Sequence, residues 1–578
     1  MSAMIDLLDD EEFDVDDRVS PTGEPGSGYI PLGIENHLVV LFSHEQKRVF
    51  KLKASDLTGL KLELVLGSTW CDYRLRQLER RQGGDSRAAR KSPAAKLASS
   101  IVSACQLVGP YVETPERGAG VWIDSDGELI VNGDELWRPS DGAVLQHGVR
   151  GGYVYPSSKP LGFYLDTPLA NESEVTRVLD ALRSLNWATP MAGELVLGWI
   201  GIAVIAAAAH RRPHILLTGD RGCGKSTLQE QVQWLFGERG TACTGSQTLM
   251  GLNQMLLGRP SQAIFIDEFE SDGRSSNSRQ TFEAARSSFS LQERDRGIVR
   301  GTPGGSSVSY RIAAPFMASA ISPGSLEPAD QSRWVTLQAL LLPNDGASER
   351  FVLEEQDAKR LGPKLARLFV SRWALFRANL ATFRQAIGSR GGDARLCDTL
   401  GHLLAAYSTF KSEVAVTLTE AVALADAAQV ADRADGDVEH DQQQCLNGLL
   451  STVLTFDVSE GMGAARRTRL SVAQAIRRML RDDAGARAIA GRLAQLGLRV
   501  REVDGRWVML VVNSPSHTEL RKLFAGTKWS RGGWGLVLRR LPGGLESTQR
   551  IGAGLKASKV TQFDLPAELL PEAPKPAD

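Results

Sequence analysis

The sequence predicts a multidomain α/β protein with a parallel sheet in its central domain. Short apolar strands alternate with helical stretches from about residue 185 to 345, after a β-rich part and before an almost wholly helical part, 347–433. Strands that alternate with helices form parallel sheets covered on both faces. The predicted strands of this sheet are Ile215–Thr218, Thr241–Thr244, Ala263–Ile266, Pro315–Ile321 and Trp334–Leu340.

The composition is typical of a soluble globular chain with several domains. Its 578 residues are 42% hydrophobic and 23% charged, and the formal net charge of −1 means that any nucleic-acid site must be a local patch. The six cysteines are scattered without a C-x-x-C pair, which argues against a zinc site or a disulfide framework and favours a cytoplasmic location. The N-terminus is acidic, unlike a signal peptide, and the apolar stretch Leu195–Ala209 is too short to span a bilayer. We therefore expect Leu195–Ala209 to be a buried helix, and no membrane partner.

A glycine-rich loop follows the first predicted strand of the sheet and precedes a stretch of helical periodicity, Leu228–Phe236. Its pattern is G-x-x-x-x-G-K-S, in which glycines let backbone N–H groups turn towards an anion beside a helix N-terminus. Lys225 would reach the β- and γ-phosphates of a nucleoside triphosphate, and the Ser226 hydroxyl would ligate Mg²⁺. A thiol at a helix N-terminus can have a lowered pKa, so alkylation of Cys223 is expected to block nucleotide binding. The residues predicted to bind the nucleotide here are Gly219, Gly222, Cys223, Gly224, Lys225, Ser226 and Thr227.

Two adjacent carboxylates, Asp267 and Glu268, end the apolar strand Ala263–Ile266. We expect this strand end to lie beside the first strand, so that Asp267 holds Mg²⁺ together with Ser226. Glu268 would then orient and deprotonate the attacking water. Paired carboxylates at the end of a buried strand repel each other unless a cation is present, which favours this interpretation over an ordinary surface pair.

Changes in pattern divide the chain into further segments. The first twenty residues carry eight acidic residues and one Arg; this tail is either a solvated segment or a docking peptide around Met4–Leu8. The basic stretch Arg74–Lys96 is either a solvated face or a contact with a nucleic-acid backbone. Near the C-terminus, two predicted helices and a β-hairpin resemble a winged helix. The predicted segments are an acidic disordered tail (1–27), a β-rich N-terminal domain (28–180), the parallel-sheet core (181–345), a helical lid (346–440), a winged-helix-like C-terminal domain (441–560) and a disordered tail (561–578).

The order of these motifs resembles that of the AAA+ ATPases, a likeness that extends over about residues 185–430. Between the third and fourth strands lie a predicted helix, Ser275–Phe289, and a basic hairpin that carries Arg296 and Arg300. This insert is similar to the pre-sensor hairpin of superfamily-3 and related phage or plasmid replicative helicases. The resemblance implies ATP and Mg²⁺ as cofactors, a hexameric homo-oligomeric ring, and single-stranded DNA in its pore touched by Arg296 and Arg300. The N-terminal part faintly resembles ATPases of phages and mobile elements that are found with primases.

The resemblance also assigns two further residues to the site. An Arg near the start of the fifth strand reaches the γ-phosphate held by the neighbouring subunit in such rings, and Arg333 occupies that place. The fork of a guanidinium can bind two oxygens of a developing phosphoryl charge; the alternative is a surface Arg paired with Asp330. The fourth strand of the family usually ends in an Asn that senses the γ-phosphate, whereas this chain offers Ser319 or Ser322.

These observations leave two function classes open. The first is an ATP-hydrolysing, ring-forming DNA helicase or translocase that replicates a phage or mobile element, in contact with a primase. The second is a non-translocating ATPase switch, such as a loader, an initiator or a regulator of a defence system. A DNA-packaging motor is disfavoured because the C-terminal part has no carboxylate cluster resembling a two-metal nuclease.

Overall fold

The chain forms two compact units, Met1–Asp435 and Gly436–Asp578. Each unit has its own hydrophobic core. None of the helices in the described residues is both long and apolar enough to cross a membrane. The computed structural model describes residues 28–80, 92–245, 247–269, 276–291, 298–301, 307–310, 312–321, 328–342, 351–430, 441–458, 466–481, 485–525, 527, 529, 532–552 and 556–570.

The first unit begins with a three-stranded antiparallel sheet covered by three helices. Alternate strand residues such as Val39 and Leu41 pack against Ile101 and Leu62 from the helices, as the period of two in a strand requires. This region is thus an α/β layer rather than purely β-rich, and both ends of the basic stretch Arg74–Lys96 are helical. The elements are β1 (Tyr29–Glu35), β2 (Leu38–Ser43), β3 (Arg48–Leu52), α1 (Gly59–Leu66), α2 (Ser68–Arg80) and α3 (Pro93–Val108).

A second antiparallel sheet and a separate hairpin follow. The first two strands of this sheet form a hairpin in which Val121 pairs with Val131. The strands are β4 (Gly120–Ile123), β5 (Leu129–Asn132), β6 (Leu136–Trp137), β7 (Val144–Leu145), β8 (Gly148–Arg150) and β9 (Tyr153–Tyr155).

The predicted domain boundary at 180/181 is wrong, because helix α4 (Glu172–Arg183) runs across it. Asn171 caps this helix with a reciprocal capping box, and the apolar face of α4 packs into the core that also holds the central sheet. Val121 and Trp137 of the preceding sheet belong to the same core. The change from strands to helices in the sequence near residue 180 therefore marks a change of secondary structure within one core, not a boundary between two domains.

The central sheet has five parallel strands in the order β11-β12-β15-β10-β16, which confirms the predicted covered parallel sheet. An antiparallel hairpin, β13 with β14, precedes β15 where the sequence predicts one. The strands are β10 (His214–Thr218), β11 (Gly240–Thr244), β12 (Ala263–Asp267), β13 (Ile298–Gly301), β14 (Ser307–Tyr310), β15 (Phe316–Ala320) and β16 (Trp334–Gln338).

Helices cover the central sheet on both faces. Ile215 and Leu217 of β10 belong to one core and Leu216 to the other, so the strand is buried on both sides. The predicted buried helix Leu195–Ala209 is confirmed in part as α5, which is almost entirely buried but begins at Ala192 and ends at Val204. Helices α5 and α6 pack on the first face, and α7 and α8 on the second. The helices are α5 (Ala192–Val204), α6 (Lys225–Phe236), α7 (Leu249–Met255), α8 (Ser276–Ser290) and α9 (Pro328–Gln331).

One expectation about the sheet is wrong: the strand that ends in Asp267 does not lie beside the strand that leads into the glycine-rich loop. Strand β15 lies between β10 and β12. The chain crosses from β10 over two strands to the edge strand β11 and then returns strand by strand to β15. Sequence spacing does not encode this lateral order, because it depends on where the crossover helices pack.

Residues 351–430 are almost wholly helical and dock on the first face of the sheet; we call these helices the lid. Gly198 of α5 allows the close approach, because an added Cβ there would overlap the carbonyl oxygen of Leu403. The first long helix of the lid ends at Ser371 and the next begins at Trp373. The lid elements are α10 (Glu355–Ser371), α11 (Trp373–Ser389), α12 (Ala394–Leu396), a π-helical turn (Cys397–Gly401), α13 (His402–Lys411) and α14 (Leu418–Ala427).

The second unit contains the two predicted helices and the hairpin, but the hairpin belongs to a four-stranded antiparallel sheet, β19-β20-β22-β21. The predicted disordered tail from 561 is wrong for residues 561–570, because Phe563 and Leu569 are buried in the core of this unit. The elements are α15 (Asp441–Ser451), β17 (Val453–Val458), β18 (Arg466–Ser471), α16 (Val472–Leu480), α17 (Ala486–Gln495), β19 (Leu498–Val503), β20 (Arg506–Val512), α18 (Thr518–Leu523), α19 (Trp534–Leu538), β21 (Leu545–Gln549) and β22 (Ser558–Asp564).

Candidate nucleotide-binding site

The glycine-rich loop follows the carboxyl end of β10. At this strand the chain connections run to opposite sides of the sheet, since β10 leads to β11 at one edge and β15 leads to β16 at the other. Strand β10 pairs with β15 on one side and β16 on the other, while its own connection leads away to the edge strand β11. In open parallel sheets the crevice at such a switch in strand order is the usual place for a ligand. Asp267 is the last residue of β12 and Ser319 lies near the end of β15, so both reach the same edge.

The loop needs glycine at two of its positions for steric reasons. Gly219 has φ +141°, and a Cβ added there would overlap the carbonyl oxygen of Ala339. Gly224 has φ +97° and is the N-cap of α6, whose first N–H groups have no partner within the helix. A left-handed N-cap followed directly by a helix N-terminus forms an anion-binding geometry from backbone alone.

Lys225 is the first residue of α6 and is largely buried. Its ammonium group donates hydrogen bonds to the carbonyl oxygens of Gly219 at 2.6 Å and of Asp220 at 3.0 Å, and it lies 3.6 Å from the Cys223 sulfur. The cation is thus held on the loop itself, at the place where the loop would receive a phosphate group.

Asp267 is the centre of a hydrogen-bond network that joins three elements. Its Oδ1 accepts hydrogen bonds from the Ser319 hydroxyl, from the Ser226 hydroxyl at 3.4 Å and from the backbone N–H of Glu268 at 3.0 Å. The predicted pair Ser226 and Asp267 therefore meets, although β15 lies between β10 and β12. Ser319 of that intervening strand contacts the same carboxylate.

Glu268 adopts a left-handed backbone conformation, with φ +53°. This conformation costs a non-glycine residue about 1–3 kcal/mol and persists only where neighbours fix it. Here Gly245 donates its N–H to the carbonyl oxygen of Asp267 at 2.9 Å, and Phe269 donates its N–H to that of Ser319 at 2.8 Å. The Glu268 side chain is exposed at this edge of the sheet.

These residues line a cleft of about 540 Å³, a size typical of small-molecule sites. Gly219 and Cys223 are the two predicted nucleotide-binding residues that do not line it. Its lining also includes Arg221, which the sequence-based prediction missed although it lies within the loop motif. The cleft is lined by Arg221, Gly222, Gly224, Lys225, Ser226, Thr227, Asp267, Glu268, Ser319, Ala320 and Ile321.

The donor set of the cleft fits Mg²⁺ bound together with a phosphate. The described residues contain no cluster of three His, Cys, Asp or Glu side chains that could hold a metal ion. Mg²⁺ usually keeps several waters and takes only one or two protein ligands besides phosphate oxygens. One hydroxyl, Ser226, and one carboxylate, Asp267, match that requirement, so the residues fit the ion only when a phosphate supplies the remaining oxygens.

Comparisons with known proteins leave the family of the chain open. No family model matches it. No curated protein matches it either. A solved structure described as the A form apo structure of the NrS-1 C-terminal region is 13% identical and covers 77% of this chain and 97% of its own, with a TM-score of 0.32. A likeness this weak carries no inference about function.

The expected accessibility of Cys223 is wrong. Its side chain is fully buried and belongs to the core beneath the loop, next to the position where a Cβ on Gly219 would lie. A thiol reagent does not reach a buried side chain without local opening of the protein. Alkylation of Cys223 is therefore not a direct probe of the cleft.

Arg333 lies at the opposite edge of the sheet from the cleft. It immediately precedes β16, and its carbonyl oxygen accepts the N–H of His214, the first residue of β10. The five-residue strands separate this edge from the phosphate loop by on the order of 15 Å. The carboxylate of Asp330 is held by Arg286 in a two-pronged contact at 2.8 and 3.0 Å, and its negative charge also opposes the lowering of the pKa of Arg333. Asp330 as a partner of Arg333 therefore stays a prediction.

Three predicted site residues are not placed by the structure. Arg296 and Ser322 lie outside the described residues, and Arg300 lies on β13 with an undescribed side chain. Of the two sensor candidates, Ser319 is thus the one whose position is known, and its hydroxyl contacts the carboxylate of Asp267. Gly245 was missed in the sequence, although a glycine after the short strand β11 could have indicated close approach of another backbone: a Cβ there would overlap the carbonyl oxygen of Glu268.

Proposed function

We propose that this protein binds ATP with Mg²⁺ and hydrolyses it. The observation that carries the proposal is the convergence, in one cleft, of a cation, a hydroxyl, two carboxylates and a helix N-terminus, supplied by the ends of three parallel strands. The triphosphate would lie along the loop, with Lys225 and the N–H groups of α6 facing its negative charge.

Each side chain of the cleft has a distinct task in this reaction. Bound Mg²⁺ would neutralise charge on the phosphate oxygens. Ser226 and Asp267 would hold the ion, and Ser319 fixes the Asp267 carboxylate through its hydroxyl. Glu268, held outward by its left-handed backbone, would accept a proton from the attacking water, which makes water the acceptor of the phosphoryl group.

We further propose that the protein is a ring-forming DNA helicase or translocase of the AAA+ type. Arg333 lies too far from the cleft of its own chain to take part there, so a role in hydrolysis requires a second copy. The hairpin β13–β14 precedes β15 in the chain. A hairpin at this point of the sequence contacts DNA in the helicases that the chain resembles, which supports the proposal. Charge supports a nucleic-acid partner as well: the second unit has 21 Lys and Arg against 15 Asp and Glu, whereas the first has 46 against 53.

Two variants distinguish the residues that bind ATP from the residue that promotes its hydrolysis. Lys225→Ala should weaken ATP binding by at least tenfold, because the loop loses its cation. Glu268→Gln should bind ATP with unchanged affinity and hydrolyse it more slowly by roughly 10²–10⁴-fold, the usual contribution of a general base. ATP binding by calorimetry and phosphate release at saturating ATP measure the two effects; normal hydrolysis by Glu268→Gln would remove the proposed role of this residue.

The hairpin distinguishes a motor from a non-translocating switch. A motor with Arg296→Ala and Arg300→Ala should retain ATP binding and lose both DNA-stimulated hydrolysis and strand separation. An unchanged unwinding rate would contradict the assigned DNA contacts. ATP-dependent assembly without any unwinding by the unmodified protein would instead indicate the switch.

A further inference from the structure

A small pocket of the first unit lies between the antiparallel sheet β4–β7 and the helices on the first face of the central sheet. Gly120 of β4, the Phe163 ring, the end of α5 and the segments that precede β11 and β12 line it. Its volume is about 30 Å³, enough for one or two water-sized groups. Small-molecule sites usually have about 300–1,000 Å³, so this pocket does not receive a nucleotide.

One guanidinium group in the wall of this pocket has an incomplete set of hydrogen bonds. Arg239 donates from Nη2 to the carbonyl oxygen of Leu235 at 2.8 Å and from Nε to that of Phe236 at 3.2 Å, so it caps the C-terminal end of α6. Its Nη1 is buried and has no hydrogen-bond partner among the described residues. A buried N–H group of a charged side chain is costly to leave unpaired, so Nη1 marks a place for an acceptor.

The positive charge of Arg239 forms no ion pair with a carboxylate of the described residues. Apolar rings lie beside the guanidinium instead, with the ring centroids of Phe163 at 5.4 Å and Phe236 at 5.5 Å. Burial lowers the pKa of Arg239 to about 10, so the group keeps its proton near neutral pH. The one carboxylate in the wall of the pocket, Glu238, has a side chain that is 80% exposed and lies 3.7 Å from Arg259.

Two further groups in the wall favour a negatively charged occupant. The Ser261 hydroxyl donates a long hydrogen bond, 3.4 Å, to the carbonyl oxygen of Ala119, and a hydroxyl can turn its O–H towards a stronger acceptor. Arg259 donates from Nη1 to the carbonyl oxygen of Glu238 at 3.0 Å and brings a second positive charge. The wall therefore carries two guanidinium groups and one carboxylate, and its charge is positive.

We propose that this pocket binds a monatomic anion, chloride, between Nη1 of Arg239 and the hydroxyl of Ser261. A chloride ion accepts hydrogen bonds from several directions and balances the buried charge, whereas a water molecule would satisfy Nη1 and leave that charge uncompensated. The anion would link the antiparallel sheet to the C-terminal end of α6, the helix that begins at the glycine-rich loop. This site is independent of the proposed ATPase function.

The dependence of thermal stability on chloride tests the site. At constant sodium concentration, replacing gluconate with chloride should raise the Tm of the full chain by on the order of 1–2 °C, because chloride binds the folded state only. Arg239→Met keeps the apolar stem but not the donor, so it should have a lower Tm that is the same in both salts. The matched control is Arg367→Met: Nη1 of Arg367 is likewise buried without a hydrogen-bond partner among the described residues, but Arg367 does not line this pocket. This control should keep the chloride dependence.

The position of the anion can be measured on the unmodified protein, without any variant having to fold. Crystals grown in sodium bromide should show an anomalous scattering peak in contact with Nη1 of Arg239. The inference is overturned by a water molecule at this place without anomalous signal. It is also overturned by equal Tm values in chloride and gluconate, or by loss of the chloride dependence in Arg367→Met.

Discussion

At the scale of single residues, the candidate site depends on backbone positions as much as on charged side chains. Gly219 and Gly224 adopt left-handed conformations, and Glu268 adopts one without being a glycine. The glycines bring the loop against the carbonyl of Ala339 and onto the start of α6. The sequence pattern predicted the loop because its glycines are required locally. It did not predict the strain at Glu268, which arises from contacts with Gly245 and with the strand that carries Ser319.

The steric requirement at Gly219 can be tested by adding one methyl group. Gly219→Ala should weaken ATP binding by at least tenfold, because the new Cβ overlaps the carbonyl of Ala339 and moves the loop. Gly258→Ala is the matched control: Gly258 also has a positive φ, but a Cβ there meets open space. The control should lose about 1 kcal/mol of stability from backbone strain and bind ATP normally. Calorimetric titration and thermal unfolding measure both quantities; normal ATP binding by Gly219→Ala would contradict the described loop.

At the scale of elements, His214 joins three parts of the core. It begins β10, its Nε2–H donates to the carbonyl of Ala285 in α8 at 2.8 Å, and its Nδ1 accepts the N–H of Phe316 in β15 at 3.1 Å. Burial lowers the pKa of His214 to about 3. A proton on Nδ1 would also face the N–H of Phe316, so the folded protein holds this histidine neutral.

Stability should therefore fall in acid. The pKa of His214 is depressed in the folded state, so the unfolded chain binds the proton first as the pH drops below about 6.5. The free energy of unfolding of the first unit should decrease by about 1.4 kcal/mol per pH unit from there towards pH 3, and His402, whose pKa burial lowers to about 4, adds to the decrease.

Denaturant unfolding between pH 7.5 and 5 measures this slope. His214→Gln should be less stable at pH 7.5 and show a shallower dependence on pH, whereas the exposed His37→Gln should keep the dependence of the unmodified protein. An identical slope in His214→Gln and the unmodified protein would contradict the assignment.

The elements also show how far the sequence determines this fold. The five strands, the hairpin β13–β14 and α5 were predictable because local periodicity and flanking turns define them. The place of β15 between β10 and β12 and the extent of α4 across residue 180 were not, since both depend on packing between residues distant in the chain.

At the scale of the whole molecule, charge is divided unequally between the two units. The second unit carries a surplus of basic residues, and 466–481 contains six arginines and no acidic residue. Arg467 and Arg469 are exposed on the same face of β18, directly before α16. The net charge of −1 for the whole chain does not indicate this basic patch, because acidic residues of the first unit balance it.

The patch predicts salt-sensitive binding of DNA by the second unit. Arg467→Gln with Arg469→Gln should lower the affinity for DNA uniformly across sequences and reduce the slope of log affinity against log salt by about 1–2. Arg499→Gln is the control, because the Arg499 side chain donates a hydrogen bond to the carbonyl oxygen of Arg550, in the connection between β21 and β22. Affinities measured by fluorescence anisotropy at several salt concentrations give the slope; an unchanged slope in the double variant would show that these arginines do not contact phosphates.

The central claim is that ATP hydrolysis by this chain is coupled to assembly and to DNA. The most direct measurement is the rate of ATP hydrolysis with and without single-stranded DNA, taken with the mass of the particle in ATP. We expect DNA to stimulate hydrolysis several-fold and ATP to produce a particle of hexamer size, with both effects lost in Arg333→Ala or Lys225→Ala. Hydrolysis at full rate by a monomer, indifferent to DNA and to Arg333→Ala, would contradict the account.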